Sequence, residues 1–282
     1  MSVDAETGRG DRRSRILGDL RGARNIGIAV TSTVVFFAVI VVVIVTSAGW
    51  PEVRKAFFDR KLFGDSFPEI AHAFLLNIRI FCIAEALILV FALAIAVLRG
   101  LPGPVLFPFR LLAVLYTDLF RGIPTILVIY ILGFGAPALQ LSGVPNSPLF
   151  WGVTALVLVY SAYVAEVYRA GIESVHPSQE AAARSLGLTR GQTLRYVIVP
   201  QAVRRVIPPL LNDFIGLQKD TVLVSTLGVV EIFRESSIIK AAKFNFTPYI
   251  AVALVFVVIT IPLARLTDWL IARERAGQAG SQ

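Results

Sequence analysis

The residues most able to do chemistry are charged and amide side chains that interrupt long apolar stretches. They are Glu85, Asp118, Arg121, Asn212, Lys219 and Asp220. An ionisable group at membrane depth costs roughly 2.5–3.5 kcal/mol by insertion scales, so each one is a functional hypothesis by default. Cations beside carboxylates could line a polar path for a charged solute. The alternative is structural, because Asp118 and Arg121 stand three residues apart on a helix and could pair with each other.

A second group of residues forms a polar, helix-prone segment, residues 166–203, between two apolar stretches. Pro177 suits the first turn of a helix, and Ser178 could cap the free amide groups that follow it. The residues from Gln179 to Leu186 are good helix formers. Gly187 suits the left-handed position that ends such a helix, so the sequence predicts a short helix with defined ends.

The same segment predicts a second helix. Thr189 and Gln192 have the spacing of a capping box, and we expect the helix that they start to stop before Pro200. Ala181–Ala183 gives the first helix a nearly flat flank. Such a flank suits insertion into a groove of another protein, the helix-in-groove mode of recognition.

Several kinds of active site are missing from the sequence. It contains no Gly-x4-Gly-Lys-Ser/Thr motif to hold ATP phosphates, no His-Glu-x-x-His and no Gly-x-Ser-x-Gly. Cys82 is the single cysteine, which excludes a disulfide framework and a Cys-rich metal site. We therefore expect no metal site, no cofactor in this chain and no enzymatic activity of its own.

Apolar stretches must position these residues. The chain has 282 residues, of which 56% are hydrophobic and 16% charged, and its mean hydropathy is +0.73. Uncharged stretches of about 20 residues cross the roughly 30 Å hydrocarbon core as helices. We predict an all-α membrane protein with six transmembrane helices at residues 26–48, 70–98, 111–135, 149–165, 203–230 and 246–270. We also predict that Pro208 and Pro209 interrupt the fifth.

The flanking segments predict the topology. Residues 1–25 are Arg-rich and read as a disordered cytoplasmic tail, and residues 273–282 form a second tail. Residues 26–48 are predicted to be an extra N-terminal span, with a signal peptide as the alternative. Basic residues are more frequent on the side that carries both termini and residues 166–203, so we place these segments in the cytoplasm. The net charge of +8 then reflects topology and not a nucleic-acid partner.

The polar segment resembles the EAA loop of the membrane permeases of ATP-binding-cassette (ABC) importers, Glu-Ala-Ala-x3-Gly-x9-Ile-x-Leu-Pro. Aligning Gly187 and Pro200 places Ala182 and Ala183 in register, whereas Ala181 stands where the family has glutamate and Glu180 lies one place earlier. The resemblance assigns contact with an ATPase to Ser178, Gln179, Glu180, Ala181, Ala182, Ala183, Leu186, Gly187 and Pro200.

Three shorter motifs resemble the polar-amino-acid branch of these permeases. They are Asp118-Leu-Phe-Arg121-Gly-Ile-Pro124, Ala165-Glu166-Val-Tyr-Arg169-Ala-Gly171 and Leu217-Gln-Lys219-Asp220-Thr-Val-Leu223. With the loop, the resemblance covers residues 70–272, which we take as the permease domain. Ile123, Val128 and Val222 replace polar residues of the branch, which leaves the identity of the ligand open.

The resemblance implies a permease subunit that imports polar L-amino acids, with glutamate and glutamine as candidate substrates. It implies two cytoplasmic ABC ATPase subunits that bind ATP, an extracellular substrate-binding protein and a second permease subunit, identical or a sister chain. The assembly would lie among the lipids of a bacterial cytoplasmic membrane. Glu166 and Arg169 are expected to orient the loop, which passes the motion of the ATPases to the spans.

The alternative function is an ion-coupled secondary transporter, with Glu85, Asp118 and Lys219 as coupling groups. It accounts for the charges within the spans but gives no reason for the pattern of the loop. Under either function, an amino-acid ligand carries both a carboxylate and an ammonium. A path with Arg121 or Lys219 beside Glu85 or Asp118 is therefore chemically suitable for such a ligand.

Overall fold

The computed structural model describes residues 4–101 and 103–279, and the side chains of residues 25–101 and 103–273. The chain separates into two compact units, Met1–Phe57 and Phe58–Gln282. The elements in both units are helical, and the described residues contain no strand. The all-α prediction is therefore confirmed.

The first unit consists of α1 (Asp4–Thr46) and the short α2 (Trp50–Phe57). The described part of residues 1–25, where we predicted a disordered tail, is helical in the structure. A helix that has formed over an apolar stretch propagates into neighbouring residues more easily than a new helix nucleates. Asn25–Thr46 is long and apolar enough to span a membrane, and its side chains are exposed.

The second unit contains, in chain order, α3 (Arg60–Gly100), α4 (Phe107–Gly122), α5 (Thr125–Tyr130), a π-helical turn (Ile131–Gly135), α6 (Ala136–Ala138), α7 (Pro148–Glu173), α8 (Pro177–Ser185), α9 (Arg190–Thr193), a second π-helical turn (Leu194–Ile198), α10 (Val199–Asp220), a 3-10 helix (Thr221–Leu227), α11 (Ile232–Lys243) and α12 (Thr247–Ala279). The predicted C-terminal tail is helical as far as it is described, to Ala279, and its last residues lie outside the described part.

Four helices in the described part of the chain are long and apolar enough to cross a membrane, or five if α4 and α5–α6 form one bent span. They correspond to five of the six predicted spans. The predicted fifth span, residues 203–230, does not meet this criterion. The reason is the charge on α10, which carries Arg204, Arg205, Asp213, Lys219 and Asp220.

The predicted third span is not straight. α4 and α5 meet at an angle of 104° across Ile123 and Pro124. The proline ring disfavours a helical conformation at the preceding residue, and Ile123 is extended, with φ −99° and ψ 131°. Pro124 also lacks an amide hydrogen and cannot form the helical hydrogen bond back to the Phe120 carbonyl, which further favours a break here. The segment is therefore a broken span or a re-entrant loop.

Two predictions of helix ends at prolines were wrong. α10 passes through Pro208 and Pro209 without a break, as prolines in membrane helices do where neighbours satisfy the freed carbonyl groups. The second loop helix also does not stop before Pro200. It continues through a π-helical turn in which the Val199 amide donates to the Leu194 carbonyl, and Pro200 then falls in the first turn of α10, where it needs no amide hydrogen.

α7 is the central helix, and it packs against α3, α4 and α10. Glycines allow close approach near its two ends, where Gly152 faces Val224 and Gly171 faces Val206. These two contacts show that α10 and the following 3-10 helix run antiparallel beside the whole of α7. We call the end of this bundle at Gly171 the loop end and the end at Gly152 the far end.

Candidate functional site

The predicted loop helix is α8, and its N-terminal end is capped differently from our prediction. His176 is the N-cap, and its ring nitrogen Nδ1 accepts a hydrogen bond from the Ser178 amide at 3.2 Å. Ser178 lies within the helix, with its hydroxyl 2.8 Å from the same nitrogen. The prediction of Ser178 as the cap was therefore wrong, because the helix starts two residues earlier than such a cap would place it. Pro177 lies in the first turn, as predicted.

The C-terminal end of α8 is formed as predicted. Gly187 adopts the left-handed conformation, with φ +86°. Its amide donates to the Arg184 carbonyl at 3.0 Å, and the Leu188 amide donates to the Ala183 carbonyl at 3.2 Å. This pair of bonds is a Schellman motif, which satisfies carbonyl groups that the helix leaves without partners. The end of α8 is therefore fixed by backbone bonds alone.

The predicted capping box of the second helix is also present. The Gln192 amide donates to the Thr189 hydroxyl at 3.3 Å, and the Thr189 amide donates to the Gln192 side-chain oxygen at 2.9 Å. The connection between α8 and α9 is thus held at both sides by short-range bonds.

Nearly all residues assigned to ATPase contact lie on the exposed surface of this loop. The exposed ones are Ser178, Gln179, Glu180, Ala181, Ala182, Leu186, Gly187 and Pro200, whereas Ala183 is buried. Leu186 is 84% exposed and lies beside the exposed Ala182, so the surface of the loop has an apolar part. Glu180 lies in the first turn of α8, where a carboxylate favours the positive end of the helix dipole.

A cluster of charges at the loop end anchors this loop to the bundle. The Glu166 carboxylate accepts from the Arg99 guanidinium at 2.9 Å and from Arg169 through both of its oxygens, and Arg121 lies 3.9 Å away. Arg169 also pairs with Glu173. The cluster, which we call the Glu166 cluster, therefore joins the last turns of α3 and α4 to α7 just before the loop begins.

Asp118 and Arg121 share a face of α4 and could pair, but the structure, which describes both side chains, shows no ion pair between them. Arg121 lies at the loop end of α4, within ion-pair distance of Glu166, whereas Asp118 is exposed. The Glu166 carboxylate, with 22% of its side chain exposed, is a less hydrated partner than one on the open face of α4. In this structure the ion-pair partner of Arg121 is therefore Glu166 of α7 and not Asp118 of its own helix.

Other predicted path residues meet in the interior between α3, α7 and α10. The Tyr160 hydroxyl donates to the Asp220 carboxylate at 2.9 Å. Glu85 interacts electrostatically with Asp213, whose Oδ2 atom is buried without a hydrogen-bond partner. Tyr168 interacts electrostatically with Glu85 as well. These side chains form what we call the interior acidic cluster.

Not every predicted path residue belongs to this cluster. Asn212 and Lys219 are exposed on α10, and Lys219 is close enough to Asp220 to act on its charge. Across the part of the chain that the structure describes, no three His, Cys, Asp or Glu side chains are arranged as metal ligands.

A third polar group, which the sequence did not suggest, lies at the far end. The Asn77 amide nitrogen donates to the Glu231 carboxylate at 2.8 Å and to the Thr221 hydroxyl at 3.1 Å, and its oxygen accepts from the Ile232 amide at 3.1 Å. Glu231 is the N-cap of α11 and accepts from two amides of its first turn. Burial raises the pKa of Glu231, and the hydrogen bond from Asn77 opposes this effect.

This Asn77–Glu231 network joins α3, the 3-10 helix and α11, and all three of its polar side chains are buried. Asn77 is uncharged, so a prediction based on ionisable groups within apolar stretches does not include it. Glu231 follows the predicted fifth span directly and looked like a surface residue. A single amide inside an otherwise apolar stretch is the signal that would have found the network.

The family described as binding-protein-dependent transport system inner membrane component matches residues 92–276. The chain is 36% identical over 206 residues to the probable amino-acid permease protein YxeN of Bacillus subtilis, covering 72% of this chain and 90% of that protein. It is 33% identical over 228 residues to the glutamate transport system permease protein GluC of Corynebacterium glutamicum, covering 76% and 99%. The crystal structure of an amino acid ABC transporter with histidines is similar, with a TM-score of 0.67 at 32% identity over 73% of this chain and 94% of that chain.

Proposed function

This chain belongs to the family of inner membrane components of binding-protein-dependent transport systems, and from that premise we propose that it is the permease subunit of an ABC importer of polar amino acids. The relatives above, which are amino-acid permeases by name, support the substrate class. The observation that carries the coupling mechanism is the exposed helix α8, which is capped at both ends and attached beside the Glu166 cluster.

α8 acts as the lever between the permease and an ATPase. Its exposed flank, with Ala181, Ala182 and Leu186, suits a groove in a partner protein. Both ends are fixed by hydrogen bonds, so a push on α8 moves the loop as one piece. The Glu166 cluster then passes that motion to three helices at once, because its arginines come from α3, α4 and α7.

The proposed assembly contains two ATPase subunits, which bind ATP, and a second permease subunit that is identical or a sister chain. An extracellular binding protein delivers the ligand. α10 and the 3-10 helix lie beside the full length of α7, so we infer that they cross the membrane as the predicted fifth span despite their charges. With six spans, both termini and the loop end lie on the cytoplasmic side.

The interior acidic cluster supports a site for the ammonium group of the ligand. Asp213 offers a buried oxygen without a hydrogen-bond partner, and Glu85 lies near it. Asp220 adds a third carboxylate, whereas the nearby cation Lys219 is exposed. An ammonium group is common to all amino acids, so this cluster suits the whole substrate class.

A purification experiment tests the docking of α8. The tagged chain is isolated gently from native membranes, and the co-purifying proteins are identified. Gly187→Asp should lose the ATPase and the uptake of amino acids while the chain stays in the membrane. A Cβ atom at Gly187 meets nothing within 4 Å of it in this chain, so the interior is undisturbed.

Gly143→Asp is the matched control. Gly143 has φ +84°, close to the +86° of Gly187, and its Cβ position is equally open, but it lies outside the loop. Retention of the ATPase in this variant and its loss in Gly187→Asp establish the docking role. Equal loss in both variants assigns the effect to backbone strain, and retention in both refutes the role of α8.

A transport assay separates the importer from the ion-coupled alternative. Uptake by the proposed importer stops when ATP is depleted and survives an uncoupler, whereas a secondary transporter shows the opposite. In the same assay, Glu85→Gln should weaken the affinity for glutamine. A variant that changes only the amount of protein in the membrane would remove Glu85 from the ligand path.

A further inference from the structure

A long apolar groove lies between α3, α4 and α7, with a volume of about 910 Å³. Aliphatic and aromatic side chains line nearly all of it, among them Ile83, Phe91 and Val157. The groove is separate from the interior acidic cluster, since no member of that cluster lines it. It therefore has no part in the transport path proposed above.

One end of the groove carries positive charge. Arg79 lines this end, is exposed, and makes no ion pair or hydrogen bond among the described side chains. Ser147, the N-cap of α7, lines the groove as well, so the positive end of the α7 dipole adds to the charge of the guanidinium. An apolar groove with a cation at its mouth is complementary to an amphipathic anion.

The depth of Arg79 matches a membrane surface. Arg79 and Arg99 lie on the same helix and are separated along it by about 30 Å, at 1.5 Å per residue. This separation equals the roughly 30 Å thickness of the hydrocarbon core. Because Arg99 belongs to the Glu166 cluster at the loop end, Arg79 lies at the level of the lipid headgroups on the opposite side.

The groove is long and follows α3. Between Arg79 and Ile95, both of which line it, α3 rises about 24 Å at 1.5 Å per residue. A volume of about 910 Å³ extends along this length. An extended hydrocarbon chain fits this shape.

We propose that the groove binds one phospholipid of the leaflet at the far end, with its phosphate on Arg79 and an acyl chain along α3 and α7. The phosphate supplies the anion that Arg79 lacks. The acyl chain covers apolar side chains such as Ile83, which is 55% exposed in this chain. The bound lipid fills the space between the two helices where they meet α4. It is a structural ligand, distinct from the transported solute.

Lipid retention tests the proposal. The complex of the permease with its partners is purified in mild detergent, washed, and its phospholipid content per chain is measured by mass spectrometry. Arg79→Gln should reduce retention about fivefold, the factor expected for one basic residue facing lipid phosphate, and Arg79→Lys should restore it. Unchanged retention in Arg79→Gln overturns the proposal.

A groove-filling variant gives a second, independent test. Ile83→Trp should expel the lipid, because Ile83 lines the groove. Leu93→Trp is the matched control and should retain the lipid, because Leu93 is equally exposed on α3, at 55%, but does not line the groove. A phospholipid with a photoreactive acyl chain should attach to groove residues in the parent protein and not in Ile83→Trp. The proposal is overturned if the lipid attaches only outside the groove. It is also overturned if a cysteine introduced in the groove by Thr154→Cys cross-links to another protein helix.

Discussion

The loop end and the far end of the bundle are held together in different ways. At the loop end, the Glu166 cluster joins three helices through charged side chains, and 14–41% of each side chain of Glu166, Arg99, Arg121 and Arg169 is exposed. At the far end, Glu231 is completely buried and receives hydrogen bonds from Asn77 and from backbone amides. One end uses hydrated ion pairs, and the other uses a dry network without a cation.

This difference indicates which end can rearrange during transport. Partly exposed ion pairs exchange partners at low cost, because water replaces each lost contact. A buried carboxylate that loses a donor keeps the full penalty of an unsatisfied group. We therefore expect the ion pairs of the Glu166 cluster to adjust in small steps while α3, α4 and α7 move with α8, and the far end to stay fixed or to open as a whole. The backbone contact between α7 and α10 is close at both ends.

The largest expected effect comes from a substitution at Gly171, which tests whether the backbone at the loop end is rigid. A Cβ atom at Gly171 would lie 2.0 Å from Cγ2 of Val206. Gly171→Ala should therefore push α7 and α10 apart and lower the free energy of unfolding by about 3 kcal/mol, the upper range for overpacking. The change is measured by thermal unfolding of the purified chain. Val206→Ala in the same chain should recover most of the loss.

The corresponding change at the far end is the control for Gly171. A Cβ atom at Gly152 would lie 2.6 Å from Cγ1 of Val224, a milder overlap. Gly152→Ala should thus cost less than Gly171→Ala. If Gly152→Ala lowers the free energy of unfolding more than Gly171→Ala does, the backbone at the loop end yields and is not rigid.

The second effect concerns the buried network. In Glu231→Gln the new amide group faces the amide of Asn77, and two donors then oppose each other. The expected loss is about 2 kcal/mol, within the range for a buried polar group without a partner. Asn77→Asp in the same chain restores an acceptor opposite the new donor and should recover part of the stability. A loss in Glu231→Gln that depends on salt would contradict the picture of a dry network.

The stability that the Asn77–Glu231 network contributes should depend on pH. Burial raises the pKa of Glu231 above its value in the unfolded chain. The folded state then binds the proton more tightly, so stability falls as the pH rises from the ordinary pKa of glutamate through the raised one. Glu231→Gln has no proton to lose and should lack this slope. Parallel melting temperatures for parent and variant from pH 4 to 8 would contradict the role of burial.

The features that sequence could predict are those with short-range causes. Gly187 and the pair Thr189 and Gln192 act within four residues of the helix ends that they fix, and the structure forms both as expected. The effect of a proline depends on its surroundings. Pro124 turned a predicted straight span, whereas Pro208 and Pro209 left α10 continuous.

Contacts between distant parts of the chain could not be read from spacing. Asn77 and Glu231 are 154 residues apart, and neither carries a local pattern that points to the other. Arg121 had a neighbour of opposite charge on its own helix but lies against Glu166 of α7. The interior acidic cluster was only partly predicted, because Glu85 and Asp220 interrupt apolar stretches but their partners depend on how α3, α7 and α10 pack.

A smaller effect is expected at the Glu166 cluster. Glu166→Gln keeps the shape of the side chain and removes the charge that balances Arg99, Arg121 and Arg169. We expect a loss of about 1 kcal/mol, as for partly exposed ion pairs, that shrinks when salt screens the repulsion between the arginines. Thermal unfolding at low and high salt measures it. If the stability loss in Glu166→Gln does not depend on salt, the loop end is held by unscreened interactions, as the far end is.

The smallest effect belongs to the loop itself. Thr189→Ala removes the hydroxyl that accepts from the Gln192 amide, and such a cap contributes about 1 kcal/mol. The loss should be local, because α9 and the flank of α8 are exposed and can open without disturbing α7. Amide hydrogen exchange should therefore accelerate in residues 189–193 while the melting temperature of the bundle stays the same. Thr33→Ala is a matched control that should leave this exchange unchanged, since its hydroxyl only donates to the Ala29 carbonyl within α1. If Thr189→Ala instead lowers the melting temperature, the loop is part of the cooperative core, and the idea of a lever on a rigid bundle fails.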